Sequence, residues 1–342
     1  MTPRFRTALA GGPQTVPPIW LMRQAGRYQQ SYQALRRRYN FETMCREPEI
    51  SARVAMNALD EFDFDAAILF SDLLFPLDAL GLGLSYDDHG PKLARRLTPA
   101  LLPRLSGVDK AERALAFQAE AILATRRQLP ADRGLIGFVG GPWTLFVYAV
   151  EGSHGGSLVQ AKTQMPLYRA FTRIMRPLLT SMIAQQIEAG ADMVMVFDTA
   201  AGELTPAAFR QHVMPDLTAL ADRFPGRLGY FGRSMHPAHF CGLVPCPPGE
   251  WAGTGVDWRW SLADVLTGPG RTGFVQGNFD PTSLHLSGAP LRRAIGDFLA
   301  PIERLSPEER RGWICGLGHG VLPGTPEDSV RMFVRTVRRV LA

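Results

Sequence analysis

Eight short apolar runs, spread along the whole chain with helix-length segments between them, constrain the fold more than any other feature of the sequence. The runs cover residues 18–22, 66–70, 135–139, 193–197, 227–231, 255–258, 273–276 and 313–315. Helical character fills 48–62, 110–128, 167–189, 206–223 and 290–304, and 326–341 closes the chain. Short apolar runs read as strands buried on both faces, and strands that alternate with helices pack as a parallel sheet under an outer helical layer. Eight units predict an α/β protein of one domain, residues 1–342: a single (β/α)8 TIM barrel with its active site at the C-terminal ends of the strands. The rival is a doubly wound open sheet. Against it, no Gly-x-Gly-x-x-Gly fingerprint follows the first strand, and no P-loop lysine is present.

Composition narrows the class. With 46% hydrophobic and 20% charged residues the chain has the balance of a globular enzyme and not of a disordered protein. No apolar run approaches the roughly 18 residues of a membrane span. Residues 1–16 lack the apolar core of a leader peptide, so a cytoplasmic protein is expected. The net charge of +5 favours acidic ligands only weakly, because the arginines are scattered. Their densest run, Arg36-Arg37-Arg38, reads as a solvated face, and no interleaved aromatics argue for nucleic acid. Cys45, Cys241, Cys246 and Cys315 are irregularly spaced, as expected of reduced thiols.

In such a barrel the residues just after each run form one rim. The first run ends in Arg23 and Arg27, four residues apart across a small turn containing Gly26, a layout that delivers two guanidinium forks to a carboxylate or phosphate. The second gives Ser71-Asp72, the third Gly140-Gly141-Pro142-Trp143-Thr144 and then Tyr148, the fourth Asp198-Thr199 and Gly202. The seventh gives Gly277-Asn278-Phe279-Asp280 and the eighth Gly318-His319-Gly320. Each has an ordinary structural reading beside the functional one. Asp72, Asp198 and Thr199 suit helix N-caps, Asp280 before Pro281 suits a helix start, Tyr148 suits the core, and the arginines suit an exposed helix cap. Glycines on both sides of His319 imply close approach of its backbone to something bulky. The long connections 73–102 and 235–254 read as active-site loops or excursions. His239, Cys241 and the distant Cys315 could in principle make a thiolate zinc site, but His239 lies well beyond a strand end and Cys315 inside a strand. What remains is a pocket of fixed cations, one or two carboxylates, a tyrosine and a histidine.

These residues resemble the uroporphyrinogen decarboxylase family. Residues 18–27, Pro-Ile-Trp-Leu-Met-Arg-Gln-Ala-Gly-Arg, fit its first signature, and residues 137–144, continuing to Tyr148 and Glu151, look like the second. Phe70-Ser71-Asp72-Leu73-Leu74, Gln276 through Pro281, and Leu317-Gly318-His319-Gly320 follow in the family's order, from about residue 3 to the C-terminus. The resemblance implies a homodimer with facing clefts that needs no metal or organic cofactor and converts uroporphyrinogen III to coproporphyrinogen III in haem biosynthesis. It implies that Arg23, the segment through Gln24, Ala25 and Gly26, Arg27 and Arg36 hold substrate carboxylates, that Asp72 lies under the pyrrole nitrogens, and that Tyr148, Thr199 and His319 complete the ligand positions. Asp72, Arg23 and Tyr148 would then carry the reaction. Arg23 stands where a proton donor would, yet a guanidinium is a poor acid; hydronium, or water relayed by a polar side chain, is the other source.

Three departures bear on efficiency and oligomer contacts. Phe197-Asp198-Thr199-Ala200-Ala201-Gly202 keeps the hydroxyl of the family's Phe-Asp-Ser-Trp-Ala-Gly and loses its large aromatic. The opening turn lacks the usual acidic residue, and 232–248 lacks the Gly-Lys pattern and gains prolines. The rivals are a related zinc-dependent cobamide methyltransferase, which metal analysis separates, and a non-catalytic tetrapyrrole-binding protein, which turnover separates. The methyltransferases resembled here carry His-x-Cys and a later Cys where this chain has Phe231-Gly232-Arg233 and His319.

Overall fold

The computed structural model describes residues 3–87, 90–240 and 246–342. Its strands are β1 (Ala66–Ile68), β2 (Leu84–Asp87), β3 (Gly90–Leu93), β4 (Gly134–Gly140), β5 (Met193–Asp198), β6 (Leu228–Gly232), β7 (Gly253–Gly255), β8 (Phe274–Phe279) and β9 (Trp313–Leu317). Seven are parallel in the order β1-β4-β5-β6-β7-β8-β9, and β2 and β3 form a separate antiparallel hairpin. β4, β5, β6, β8 and β9 are buried at every residue, which is why they read as unbroken apolar runs.

The run at 18–22 closes the barrel without forming a strand ladder. Ile19 makes one parallel bridge with Cys315; Trp20 N donates to Cys315 O and Cys315 N to Pro18 O on one side, and Asp65 N donates to Ile19 O on the other. Pro17 and Pro18 have no N–H to give, and the backbone turns left-handed at Arg23 (φ 56°), so the pairing stops after a few residues. Side chains below the sheet reinforce the closure. The buried Asp65 carboxylate accepts from Ile19 N and pairs with Arg4, Arg133 and Arg338. Asp192 repeats the device two units on, accepting from Leu135 N while pairing with Arg6 and Arg126. An acid just before one strand thus pins the start of its neighbour and gathers arginines around it.

The helices form where periodicity places them, with local breaks. Pro48–Phe62 has the predicted bounds, with proline in its first turn and a left-handed stop at Asp63. The stretch 110–128 is two helices, Val108–Ala114 and Ala116–Gln128. The stretch 206–223 passes through a π-turn at Phe209–Val213 before Met214–Arg223, where Pro215 lacks an N–H for the α register. The sixth run was expected at 255–258 and lies at Gly253–Gly255. A Cβ on Gly253 would sit 2.3 Å from Phe274 O, so this strand needs the glycines that make it look like a loop. β8 and β9 extend further than expected, so residues 277–279 belong to a strand and the rim begins at Asp280. No described helix is long and apolar enough to cross a membrane.

Candidate active site

At the carboxyl end of the barrel a cleft of about 670 Å³ opens, walled by the segments after residue 22, β1, β4, β5, β6 and β9. Arg23, Gln24, Ala25, Gly26, Arg27, Arg36, Asp72, Tyr148, Thr199 and His319 all border it. The hairpin β2–β3, raised on the excursion after β1, adds Ser85, Tyr86, Asp87, Gly90 and Pro91 as a lateral wall.

One side is cationic. Arg23 and Arg27 are exposed and form no ion pair among the described residues, so their guanidinium donors are free for an acid. Arg36, also exposed, donates to Tyr39 O at 2.9 Å. The turn that carries them is held from beneath by Gln24, which is fully buried: its Nε2 donates to Ala66 O and its Oε1 accepts from Leu21 N. Gln24 therefore spends its side chain on the scaffold, and Tyr28 braces the turn through a bond to Gln24 O at 2.6 Å. The glycines flanking His319 make room for protein. A Cβ on Gly320 would lie 2.5 Å from Arg23 Cδ, and one on Gly318 would lie 2.5 Å from Trp258 N.

Asp72 borders the same cleft. Its Oδ1 accepts from Leu74 N at 2.8 Å, the short-range turn that the cap reading anticipated, and the carboxylate still faces the cleft. Burial raises its pKa above the ordinary carboxylate value, opposed by the Leu74 N–H, the Arg23 charge and the Tyr86 hydroxyl. That hydroxyl is itself buried, and its own pKa is raised by burial and by the charge of Asp72. Sequence reasoning missed Tyr86 because 73–102 read as a loop; the alternation Leu84-Ser85-Tyr86-Asp87 before Gly90 was the available signal. Tyr148 is pushed up to about 12 by burial, with Asp72 adding and Arg23 opposing. His319 is pushed down to about 3 by burial and by the charges of Arg23, Arg233 and His154, so its ring is neutral across the physiological range.

Asp198 is the carboxylate that turns away. It is fully buried, and its Oδ1 accepts from Thr144 N at 2.9 Å and Thr144 Oγ1 at 2.6 Å, capping the helix Pro142–Glu151 of the preceding unit. Its other oxygen has no partner, and burial pushes its pKa up to about 6. The folded state thus holds this proton more tightly than the unfolded chain, and the group withdraws stability as pH rises from about 4 to 6. At about 1.4 kcal/mol per pKa unit this amounts to 2–3 kcal/mol. Asp198→Asn, which keeps the Oδ1 acceptor, is expected to flatten the fall in melting temperature between pH 4 and 7; a variant as pH-sensitive as the parent would contradict the assignment. Asp280 likewise caps, accepting from Thr282 N at the start of Pro281–His285. Asn278 is structural, donating to Asp257 O and Trp260 O.

His239 is buried with Nε2 against Leu204 O and Nδ1 against His236, Cys315 lies inside β9 with its thiol pKa raised by burial, and Cys241 lies outside the described residues. No three His, Cys, Asp or Glu come together to hold a metal among the described residues.

Residues 2–340 match the model of the family described as uroporphyrinogen decarboxylase (URO-D). A uroporphyrinogen decarboxylase of Chloroflexus aurantiacus is 38% identical over 354 residues, covering 99% of this chain and 96% of its own. One of Roseiflexus sp. is 35% identical over 367 residues, covering 99% of both. Among solved structures, a methyltransferase from Methanosarcina mazei shares the fold with a TM-score of 0.75 at 18% identity, covering 99% of this chain and 98% of its own. With the signatures at 18–27 and 137–151 placed on one cleft, the chain belongs to the uroporphyrinogen decarboxylase family.

Proposed function

We propose that this protein decarboxylates the four acetate side chains of uroporphyrinogen III to methyl groups, giving coproporphyrinogen III, without metal or organic cofactor. The single observation that carries the reading is the presence of Asp72 together with the unpaired Arg23 and Arg27 in the lining of one cleft. Protonation of a pyrrole α-carbon puts positive charge on the ring, and that charge is the electron sink into which the neighbouring acetate releases its bond pair as carbon dioxide leaves. A carboxylate under the pyrrole N–H groups stabilises this cation as it forms, an effect worth several kcal/mol in a preorganised site. Arg23, Arg27, Arg36 and the backbone from Gln24 to Gly26 hold the carboxylates and fix which pyrrole stands over Asp72. Neutral His319 and Thr199 supply further hydrogen bonds from the cleft lining. We assign one domain to residues 1–342, a cytoplasmic location, and a homodimer with facing clefts as in the family resembled.

Anaerobic incubation of metal-stripped protein with uroporphyrinogen III, followed by oxidation and separation of products by carboxylate number, tests the reading. The expected result is a ladder from eight carboxylates to four; binding without product would leave a tetrapyrrole-binding protein.

A further inference from the structure

Tyr148 does not border the cleft alone. Its hydroxyl lies 2.5 Å from Nδ1 of His154, and the two rings pack with centroids 5.3 Å apart. Tyr148 stands on the helix Pro142–Glu151, in the cleft wall. His154 follows the left-handed Gly152 that ends this helix, and it is half-buried. The cleft wall and the half-exposed loop are therefore joined by one hydrogen bond between two groups that can each carry a proton.

The reaction proposed above needs such a supply, and the inference rests on that reading. Converting –CH2–COO⁻ to –CH3 releases carbon dioxide and consumes one proton, so four decarboxylations draw four protons into the site. Arg23 and Arg27 are fixed cations and Asp72 is wanted as an anion, which leaves the proton without an evident source. We propose that His154 and Tyr148 form the relay that delivers it. Tyr148 Oη gives its proton to the carbon that loses the carboxylate, protonated His154 replaces it through Nδ1, and solvent recharges His154. The bond pair freed by carbon dioxide ends in the new C–H bond, any proton first added at the pyrrole α-carbon returns to solvent, and the tyrosine starts and finishes neutral. No oxidant or reductant enters.

The state of His154 sets the direction in which Tyr148 points its proton. Neutral Nδ1 accepts from Oη and holds the hydroxyl proton away from the cleft; protonated, it donates to Oη and turns that proton inward. Around His154 stand Arg233 and Arg23, which disfavour its charge, Glu203, which favours it, and the neutral ring of His319. Asp72 and Arg23 face Tyr148. Burial and the two arginines lower the His154 pKa, so the proton is readily given up and the active form gains population as pH falls. Tyr148 touches the substrate in this scheme, and His154 acts through it as a positioning residue.

The test uses the full-length protein, with His154→Ala, His154→Gln, Tyr148→Phe and the double variant His154→Ala/Tyr148→Phe assayed on uroporphyrinogen III for kcat and KM across pH. Both His154 variants are expected to lower kcat about 10²-fold with KM little changed. Both should lose the limb in which wild-type kcat falls as pH rises, although Gln still offers an acceptor to Tyr148. Added imidazole should restore part of the Ala variant's kcat, and the double variant should fall no further than Tyr148→Phe. Wild-type kcat in His154→Ala, or a loss confined to KM with no rescue and an unchanged pH profile, would overturn the relay. A wild type without turnover removes the decarboxylase reading and the relay with it; an active wild type with unaltered variants removes the relay alone.

Discussion

Asp72→Asn is expected to lower kcat for uroporphyrinogen about 10³-fold and leave substrate affinity within a few-fold. The substitution keeps an oxygen for Leu74 N, so the turn that positions the side chain survives. In the proposed reaction the charge it removes would lie beneath the ring, where it acts when the pyrrole becomes cationic and does little for a neutral ground state. Such a loss falls on kcat and kcat/KM together. The same logic sets a pH requirement: with the Asp72 pKa raised by burial, wild-type activity should decline on the acid side through a pKa above the ordinary carboxylate value. Steady-state kinetics of the variant at several pH values check both statements, and near-wild-type kcat would show that the carboxylate does not meet the developing cation.

Arg23→Lys should cost about 10²-fold in kcat/KM, the weight of one bidentate charge-assisted contact. A lysine keeps the charge but presents a single ammonium, and it cannot fork a carboxylate. The position is tightly built. Arg23 adopts φ 56°, and its Cγ and Cδ fill the space where a Gly320 side chain would begin. Gly320→Ala, with its Cβ 2.5 Å from Arg23 Cδ, is therefore expected to reproduce much of the loss by displacing the Arg23 stem. Kinetics on both variants, with thermal melts to confirm folding, decide the point; an unaffected kcat/KM in Arg23→Lys would mean that charge alone suffices there.

Barrel architecture was readable because β4, β5, β6, β8 and β9 are covered on both faces, and burial of that kind forces continuous apolar runs. β7 was misplaced for the converse reason: the ring and carbonyl of Phe274 occupy the side-chain space, and only glycine fits. The closing segment at 18–22 was recognised as strand-like, yet its prolines and the turn at Arg23 limit it to a few hydrogen bonds.

At the site, all ten residues chosen from strand ends and family signatures border one cleft. The sequence could not separate Asp72 from Asp198, since both follow an apolar run and both suit a cap. The difference lies in Thr144, far away in the chain, whose N–H and hydroxyl take the Asp198 carboxylate out of the cleft. Tyr86 and His154 were missed because each stands on a connection, where strand-end reasoning does not look: Tyr86 borders the cleft from a hairpin wall, and His154 reaches Tyr148 from a glycine-rich loop.

The most direct test of the central claim is a carbon balance on the purified protein. Uroporphyrinogen III carrying ¹³C in its acetate carboxyl carbons is incubated anaerobically with metal-stripped enzyme, and labelled carbon dioxide and product are quantified together. The account predicts four labelled carbon dioxides per coproporphyrinogen III formed, with all four propionates intact. Undiminished substrate with no labelled gas, or turnover that appears only when a metal is restored, would contradict it.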